Sequence, residues 1–481
     1  MNSDKSIALK GGLWTSVSTA VTIITQFARL MILTRFLDKS DFGLVSIVNT
    51  VIGLCLTFTD LGFSSALMYK KNISHNEFST LFWLQLIIFG ILYLVLCCIS
   101  PFVAEFYGET LLKGLIPLAA LSVLFQSFGK LYDTVLQKQY QFKIIAFRNI
   151  CSNIFSFSVA VILAWKGLGV YSLIISTLLH AIILNSWNFF SGIKVQKLIF
   201  YCHIKSVIKL LKIGVFQTGT RMLDFISNKI DVMIIGKLLG TETLGIYDLA
   251  KNLVNTLVDL VRTVISKVAL PILANNNDND DIVRCRFLIM TKTVAYIIIP
   301  IGIGIAIFSK EILLIVYGSA FIEASIIVTL FAFISIFNSI CSFYDMLGVA
   351  KGRTDLNFYN TIVRMVITIP IVYITSLMSI QIVAYGQLIS TILQSIAFWI
   401  IVVNHTYPIS FKYYFSHFSK LLFIQLGSFV FMKLFMMSVV IPYPLVFNIC
   451  LYVIVYVIIM VMSICLFMRK DVFYFKNLLN R

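Results

Sequence analysis

Two apolar stretches in the middle of the chain carry charged residues: IGVFQTGTRMLDFISNKIDVMIIG at residues 213–236 and LGIYDLAKNLVNTLVDLVRTVISKV at residues 244–268. As helices they would place their polar residues in sectors of about 80° and about 100°, at about 100° of rotation per residue. An ionised side chain at the bilayer centre costs at least about 2.5 kcal/mol, so such stripes persist where they line a watery cavity or pair with one another. The pattern predicts a transporter with a polar lumen. The stripes consist of Gln217, Arg221, Asp224, Asn228 and Asp231, and of Asp248, Lys251, Asn252, Asn255, Asp259, Arg262 and Ser266.

The composition indicates an all-α polytopic membrane protein. Of 481 residues, 59% are hydrophobic and 12% charged, and the mean hydropathy is +0.95, far outside the range of soluble proteins. The first apolar run lacks a signal-peptide cleavage site, so we expect a retained helix. The nine Cys show no zinc or disulfide spacing, and we expect no metal and no cofactor. Fourteen runs can span a bilayer: 11–33, 42–66, 80–104, 114–137, 146–166, 168–190, 213–236, 244–268, 287–309, 324–348, 358–378, 380–403, 420–440 and 444–468.

The distribution of Lys and Arg between loops predicts the orientation. With a cytoplasmic N-terminus, the cytoplasmic segments hold 22 basic residues, including Arg148 and the five Lys of residues 191–212. Both termini are then cytoplasmic. Because the net charge of +17 is spread over many short loops and helices, we expect no nucleic-acid partner. The opposite side holds only six basic residues: Arg35, Lys39, Lys113, Lys166, Lys237 and Lys310.

A shift of 202 residues brings two segments of the chain into register, including residues 35–43 with residues 237–245. Six spans separate the copies, and an even number preserves sidedness, so we expect a parallel repeat about an axis along the membrane normal. The predicted organisation is an N-lobe at 1–190 (spans one to six), a basic cytoplasmic linker at 191–212, a C-lobe at 213–404 (spans seven to twelve) and a C-terminal span pair with a basic tail at 405–481.

Polar stripes also mark other spans. Because spans one, two and four correspond to spans seven, eight and ten under the repeat, we expect all six to face one central cavity. The further stripes are Thr15, Ser18, Thr22, Thr25 and Arg29 in span one, Ser46, Asn49 and Asp60 in span two, Ser122, Gln126, Lys130, Asp133 and Gln137 in span four, and Ser335, Asn338, Ser342 and Asp345 in span ten.

Short motifs carry a resemblance to a known family. The first half contains Arg35-Phe36-Leu37, Asp41-Phe42-Gly43-Leu44, Asp60-Leu61-Gly62, Ala66-Leu67, Phe82-Trp83, Phe106-Tyr107 and Phe142-Lys143. The second half contains Asp231, Ile235-Gly236, Leu239-Gly240, Leu244-Gly245, Tyr247, Pro271, Tyr317-Gly318, Phe321 and Ala324. Together they cover most of residues 11–355. This set resembles the Wzx-type polysaccharide flippases of the MATE-like (MOP) exporter superfamily, in the branch of capsule, colanic-acid and teichuronic-acid exporters.

The resemblance implies a V-shaped, two-lobed fold. It also implies a substrate, an undecaprenyl-diphosphate-linked oligosaccharide moved across the bacterial inner membrane for O-antigen, capsule or exopolysaccharide assembly. The substrate and membrane lipid are then the expected partners, and a polysaccharide polymerase is a further candidate. One departure is the number of spans, since many relatives are read with twelve helices whereas hydropathy here predicts fourteen, as in lipid II flippases.

The chemistry of such a substrate selects the candidate binding residues. Arg suits a diphosphate because its planar fork donates two parallel hydrogen bonds, and amides and hydroxyls suit a glycan. For each cation the alternative is an internal ion pair, such as Arg221 with Asp224 or Lys251 with Asp248. Arg29 has no carboxylate near it in the sequence. The candidate substrate-binding residues are Arg29, Lys130, Arg221, Lys251, Arg262, Arg364, Asn228 and Asn255.

Carboxylates on the stripes are candidates for ion coupling. An Asp in a partly desolvated cavity can bind H⁺ or Na⁺, and partnership with a neighbouring cation is the alternative. For Asp231, a role in the fold is an equally good hypothesis. The candidates are Asp60, Asp224, Asp133, Asp231, Asp259 and Asp345.

Three other functions compete. A MATE-type multidrug exporter should have a more acidic cavity with fewer Arg. A lipid II flippase agrees with fourteen spans. An integral-membrane polysaccharide polymerase or sugar transferase usually carries its catalytic residues on a large extracytoplasmic loop, which the short predicted loops exclude. We therefore expect a transporter with no catalytic residues, not an enzyme.

Overall fold

The computed structural model describes residues 2–60, 63–69, 73–201, 203, 208–274, 280–350, 354–403, 405, 410–438 and 445–467. The first half of the chain forms α1 Asn2–Leu33, α2 Lys39–Thr57, α3 Phe63–Tyr69, α4 His75–Tyr107, α5 Leu112–Lys138, α6 Phe142–Trp165, α7 Val170–Gly192 and α8 Ile208–Leu238. The second half forms α9 Gly240–Ala274, α10 Asp280–Ile307, α11 Ser309–Val316, α12 Ser325–Ala350, α13 Thr354–Ser376, α14 Ile380–Phe398, α15 Phe411–Ser438 and α16 Leu445–Phe467. The all-α fold expected from composition is confirmed.

Within the described ranges, fourteen of these helices have 19 residues or more, which agrees with the fourteen predicted spans. Eleven helical stretches are long and apolar enough to cross a membrane. α8 and α9 are not among them, because charged residues recur along both helices. Fourteen is therefore an approximate number of spans, and α8 and α9 are the helices that most need polar neighbours.

Local sequence determines where α4 begins and ends. Ser74 and Glu77 form a capping box, in which the Ser74 hydroxyl accepts from the Glu77 N–H and the Glu77 carboxylate accepts from the Ser74 N–H, both at 3.3 Å. The helix stops at Gly108, whose φ of 74° is left-handed, a conformation that glycine adopts without strain. The turn at 106–109 is thereby held in place.

The chain divides into two compact units, of which the first comprises residues 1–248 and 316–318. In this unit α1 packs on α6, α5 packs on α4 and α7, and α2 contacts α5 and α8. One part of its core lies between α3, α4 and α5. It is formed by the buried side chains of Phe63, Leu67, Phe78, Leu81, Phe82, Leu131, Tyr132 and Val135.

Repeat-related residues meet inside the first unit. A Cβ added to Gly43 would overlap the carbonyl oxygen of Thr241, and a Cβ added to Gly245 would overlap that of Lys39. The 202-residue shift converts Gly43 into Gly245 and Lys39 into Thr241, so the two contacts are copies of one another. Only glycine allows the backbones of α2 and α9 to approach this closely. The contact supplies a physical reason for both motif glycines.

The turn between α8 and α9 also contacts the end of α4. The Lys237 ammonium donates to the carbonyl oxygen of Phe106 and lies 4.9 Å from the centroid of its ring. A cation at the last carbonyls of a helix complements the helix dipole. The Thr241 hydroxyl donates to the Glu109 carboxylate at 2.7 Å. Part of the sequence motif thus serves helix packing within this unit.

The second unit comprises residues 249–315 and 319–481. α10 packs on α12 and α15, α14 packs on α12 and α13, and α15 packs on α16. The two C-terminal helices are attached to α10 by polar bonds at two levels. The Tyr456 hydroxyl donates to the carbonyl oxygen of Pro300 at 2.7 Å, and the Lys433 ammonium donates to that of Ile307 at 2.7 Å. The lobe boundaries expected from the repeat stay a prediction.

Candidate functional site: cations on polar helix faces

Arg29 lies where α1 packs on α6. Its Nη2 donates to the hydroxyl oxygen of Ser156 at 2.9 Å. Two turns earlier on α1, the Thr22 hydroxyl oxygen accepts from the Asn153 amide at 3.3 Å. The polar stripe predicted on α1 therefore meets a second polar stripe, on α6, that the sequence reasoning did not single out.

The charge of Arg29 is not neutralised within the described part of the first unit. Arg29 is half-buried and Ser156 is fully buried. No ion pair of Arg29 occurs among the described residues. A cation held only by neutral groups is suited to receive an anion.

Lys130 on α5 also bonds a neutral side chain. Its ammonium donates to the hydroxyl oxygen of Thr59 at 3.0 Å and lies 6.0 Å from the centroid of the Phe89 ring. The Thr59 hydroxyl itself donates to the carbonyl oxygen of Leu56 at 2.7 Å. A hydroxyl and an aromatic face both leave the ammonium charged.

Asp133 and Arg148 form an ion pair between α5 and α6. The Arg148 side chain is 3% exposed and that of Asp133 is 29% exposed, and Gln137 donates to the second carboxylate oxygen of Asp133 at 2.8 Å. The assignment of Arg148 to a cytoplasmic loop was wrong, because α6 begins at Phe142 and carries Arg148 into the helix packing. The pair favours a structural role for Asp133 over ion coupling.

Asp231 is buried within the first unit. Its carboxylate accepts from the Tyr247 hydroxyl at 2.7 Å and from the Val232 N–H at 2.9 Å, and its exposure is 3%. Tyr247 is fully buried as well. The bond joins α8 to the start of α9, so the geometry favours the fold role over the coupling role.

The rest of the α8 stripe is more accessible. Arg221 and Asn228 are exposed, and Asp224 is half-buried. The Asn228 amide donates to the Asp224 carbonyl oxygen at 2.8 Å. These three residues lie along one face of α8, as their spacing predicts.

The second unit contains the remaining described candidates. Arg262 on α9 pairs with Asp259 at 3.1 Å and donates from Nη2 to the Ser339 hydroxyl oxygen on α12, also at 3.1 Å. The ion pair is partly open to solvent, with Asp259 56% exposed and Arg262 31% exposed. The Nε of Arg262 is buried and has no hydrogen-bond partner. Three further candidates, on α9 and α13, are half-buried: Lys251, Asn255 and Arg364.

Two predicted coupling residues are not covered. The side chains of Asp60 and Asp345 lie outside the described residues. Ser156 and Ser339, in contrast, were missed by the sequence reasoning although each contacts a candidate cation. The four-residue spacing of Arg148, Ser152 and Ser156 on one face of α6 is the signal that could have identified that stripe.

These features define a class of protein, a multi-pass helical membrane transporter with cations on polar helix faces. The chain belongs to the polysaccharide biosynthesis protein family, whose model matches residues 32–326. It is 27% identical over 360 residues to the teichuronic acid biosynthesis protein TuaB of Bacillus subtilis (strain 168), with 73% of each chain covered. It is 21% identical over 407 residues to the lipopolysaccharide biosynthesis protein WzxC of Escherichia coli (strain K12), covering 84% of this chain and 83% of WzxC.

Solved structures agree on the fold. An inward closed conformation of the lipid II flippase MurJ superimposes with a TM-score of 0.78 at 16% identity, covering 96% of this chain and 100% of MurJ. An inward-facing multidrug resistance MATE family transporter of the MOP superfamily superimposes with a TM-score of 0.59 at 13% identity, covering 79% of this chain and 93% of that chain. The family resemblance, the MOP-like fold and the transporter class expected from the sequence are confirmed.

Proposed function

We propose that this chain translocates undecaprenyl-diphosphate-linked oligosaccharide repeat units across the bacterial inner membrane for assembly of a surface polysaccharide. The observation that carries the proposal is Arg29, a half-buried cation bonded to a neutral hydroxyl in a protein of the polysaccharide biosynthesis family. A diphosphate brings negative charge into a membrane protein and needs such a cation.

Further polar residues that are exposed or half-buried suit the diphosphate and the glycan of the substrate. The positive charges of Arg221 in the first unit and of Lys251 and Arg364 in the second are suited to a diphosphate, and the amides of Asn228 and Asn255 are suited to a glycan. The isoprenoid needs no polar site because it can stay in lipid. Lys130 donates to a hydroxyl and lies near an aromatic ring, and its positive charge is suited to an anion.

Orientation and partners complete the proposal. The excess of Lys and Arg on one side supports cytoplasmic termini, so the substrate is loaded from the cytoplasmic leaflet. A polysaccharide polymerase that consumes the translocated unit is the proposed partner. Labelling from outside intact cells of a Cys introduced at Ser206 or Asn480 should give no signal, and labelling of either would reverse the orientation.

Coupling to H⁺ or Na⁺ is proposed at Asp224, which is half-buried beside the accessible Arg221 on α8. Asp224→Asn should retain substrate binding but lose the response of flux to an imposed gradient in reconstituted vesicles. Equal flux with and without pH and Na⁺ gradients in the wild-type protein would exclude coupling and leave a passive flippase.

The deciding test is flux in vesicles of purified protein. A fluorescent undecaprenyl-diphosphate oligosaccharide should move between leaflets with the wild-type chain, and at least about ten-fold more slowly with Arg29→Ala. The second candidate is lipid II transport, favoured by the fold similarity to MurJ. Lipid II offered to the same vesicles separates the two, since movement of lipid II alone would overturn the primary proposal.

A further inference from the structure

Ser156 holds the guanidinium of Arg29 without bringing a negative charge to it. Its side chain is fully buried, and its hydroxyl donates to the carbonyl oxygen of Asn153 at 3.1 Å while accepting from Arg29 Nη2 at 2.9 Å. A hydroxyl has one proton. With that proton on the backbone of its own helix, Ser156 can offer Arg29 only lone pairs.

The same arrangement occurs in the second unit. The Ser339 hydroxyl donates to the carbonyl oxygen of Ser335 at 2.6 Å and accepts from Arg262 Nη2 at 3.1 Å. The 202-residue shift carries Arg29 to Asp231 and Ser156 to Phe358. The second arrangement is therefore not a copy of the first by the internal repeat, and the same chemistry is found at two unrelated positions.

We propose that Ser156 is a positioning residue that fixes the guanidinium of Arg29 with a neutral acceptor, so that its charge remains available to the diphosphate of the substrate. This inference rests on the proposed function. A carboxylate at position 156 would hold the guanidinium more tightly through a charge-assisted bond, but it would also neutralise the charge and compete with the diphosphate. Serine positions the cation without competing.

Binding of farnesyl diphosphate to the purified full-length chain in detergent, measured by calorimetry, tests the inference. Ser156→Asp should weaken binding at least about ten-fold, because it neutralises the charge of Arg29. Ser156→Ala should weaken it about three- to ten-fold, because the guanidinium loses the acceptor that fixes its position. Ser156→Thr keeps the hydroxyl and should stay within about two-fold of wild type. The matched control is Ser158→Ala, since among the described residues the Ser158 hydroxyl bonds only the Ile154 carbonyl oxygen of its own helix.

The Arg29→Ala background distinguishes positioning from simple packing. If Ser156 acts through Arg29, adding Ser156→Ala to Arg29→Ala should cause no further loss, whereas a packing defect would add to it. Should Ser156→Asp fail to give a monodisperse protein, Ser156→Ala and Ser156→Thr still compare binding without and with a hydroxyl at position 156.

The outcomes separate the two proposals. No binding of farnesyl diphosphate by the wild-type chain would overturn the proposed function. Binding that is weakened in Arg29→Ala but normal in both Ser156→Asp and Ser156→Ala would leave the proposed function standing and overturn the role of Ser156.

Discussion

Arg29 and Arg262 are held by the same bond and differ in what balances their charge. Each donates from Nη2 to a buried serine hydroxyl on a neighbouring helix. Arg262 also pairs with Asp259 one turn away, whereas Arg29 makes no ion pair with any described residue. An anion arriving at Arg29 meets a full charge, and at Arg262 it must compete with a carboxylate. The difference ranks Arg29 above Arg262 as a site for an anion.

Arg148 extends the comparison to a fully compensated cation. It is 3% exposed and paired with Asp133, and its Nε and Nη1 are buried without a partner. A buried guanidinium depends on its carboxylate far more than a half-exposed one. The extent to which a carboxylate balances the positive charge therefore increases from Arg29 through Arg262 to Arg148. The predicted role shifts in the same order from substrate binding to stabilising the fold.

The largest effect is expected for the ion pair of Arg148, and it is an effect on stability. Asp133→Ala leaves Arg148 buried and unpaired and should lower the free energy of unfolding by about 3 kcal/mol. The matched control, Asp259→Ala, removes a 56% exposed carboxylate and should change stability by less than about 1 kcal/mol. Thermal unfolding of the purified proteins in detergent measures both. Equal melting temperatures for the two variants would contradict the ranking by burial.

Arg29→Ala should have the second largest effect, and this effect should be on transport and not on folding. Loss of a charge-assisted bond to the diphosphate is worth about 1.5–3 kcal/mol, or at least about ten-fold in flux. Arg29→Lys should recover only part, because Lys lacks the bidentate fork. Flux in vesicles and the amount of protein in the membrane are measured together. Loss of protein in proportion to flux would indicate a structural cation instead.

The sequence predicts which face of a helix is polar but not what that face touches. Periodicity placed Arg29, Lys130 and Arg262 on stripes because helical spacing depends only on local geometry. Their partners Ser156, Thr59 and Ser339 lie 127, 71 and 77 residues away, so tertiary packing had to bring them together. Serine and threonine are also common in apolar spans and give no hydropathy signal.

The prediction for Arg148 failed for a different reason, the position of a helix boundary. The span was predicted to begin at residue 146, and a basic residue beside that boundary was assigned to the loop, whereas α6 begins at Phe142. Asp231 shows a third case, since its fold role depends on Tyr247, sixteen residues away on the next helix. The glycine contacts at Gly43 and Gly245 followed the repeat directly, because the same backbone approach is required twice.

Arg262→Ala should reduce flux less than Arg29→Ala, by about three-fold, because Asp259 already offsets part of its charge. The same vesicle assay compares the two variants at equal protein density. Arg364→Ala on α13 removes another half-buried cation of the same unit, and it serves as the comparison variant. A larger loss at Arg262 than at Arg29 would reverse the order inferred from charge compensation.

The smallest effect is also the most diagnostic, because it is a gain. Asp259→Asn keeps the shape of the side chain and removes the charge that competes for Arg262, which would then resemble Arg29. Farnesyl diphosphate binding should tighten by about two- to three-fold, in line with the modest strength of a half-exposed ion pair. The gain should shrink as salt is raised, since salt already screens an exposed pair. In an Arg262→Ala background the substitution should do nothing, because its effect passes through the freed guanidinium. A gain that persists without Arg262 would mean that Asp259 repels the diphosphate directly, and the two cations would then differ by their surroundings and not by their compensation.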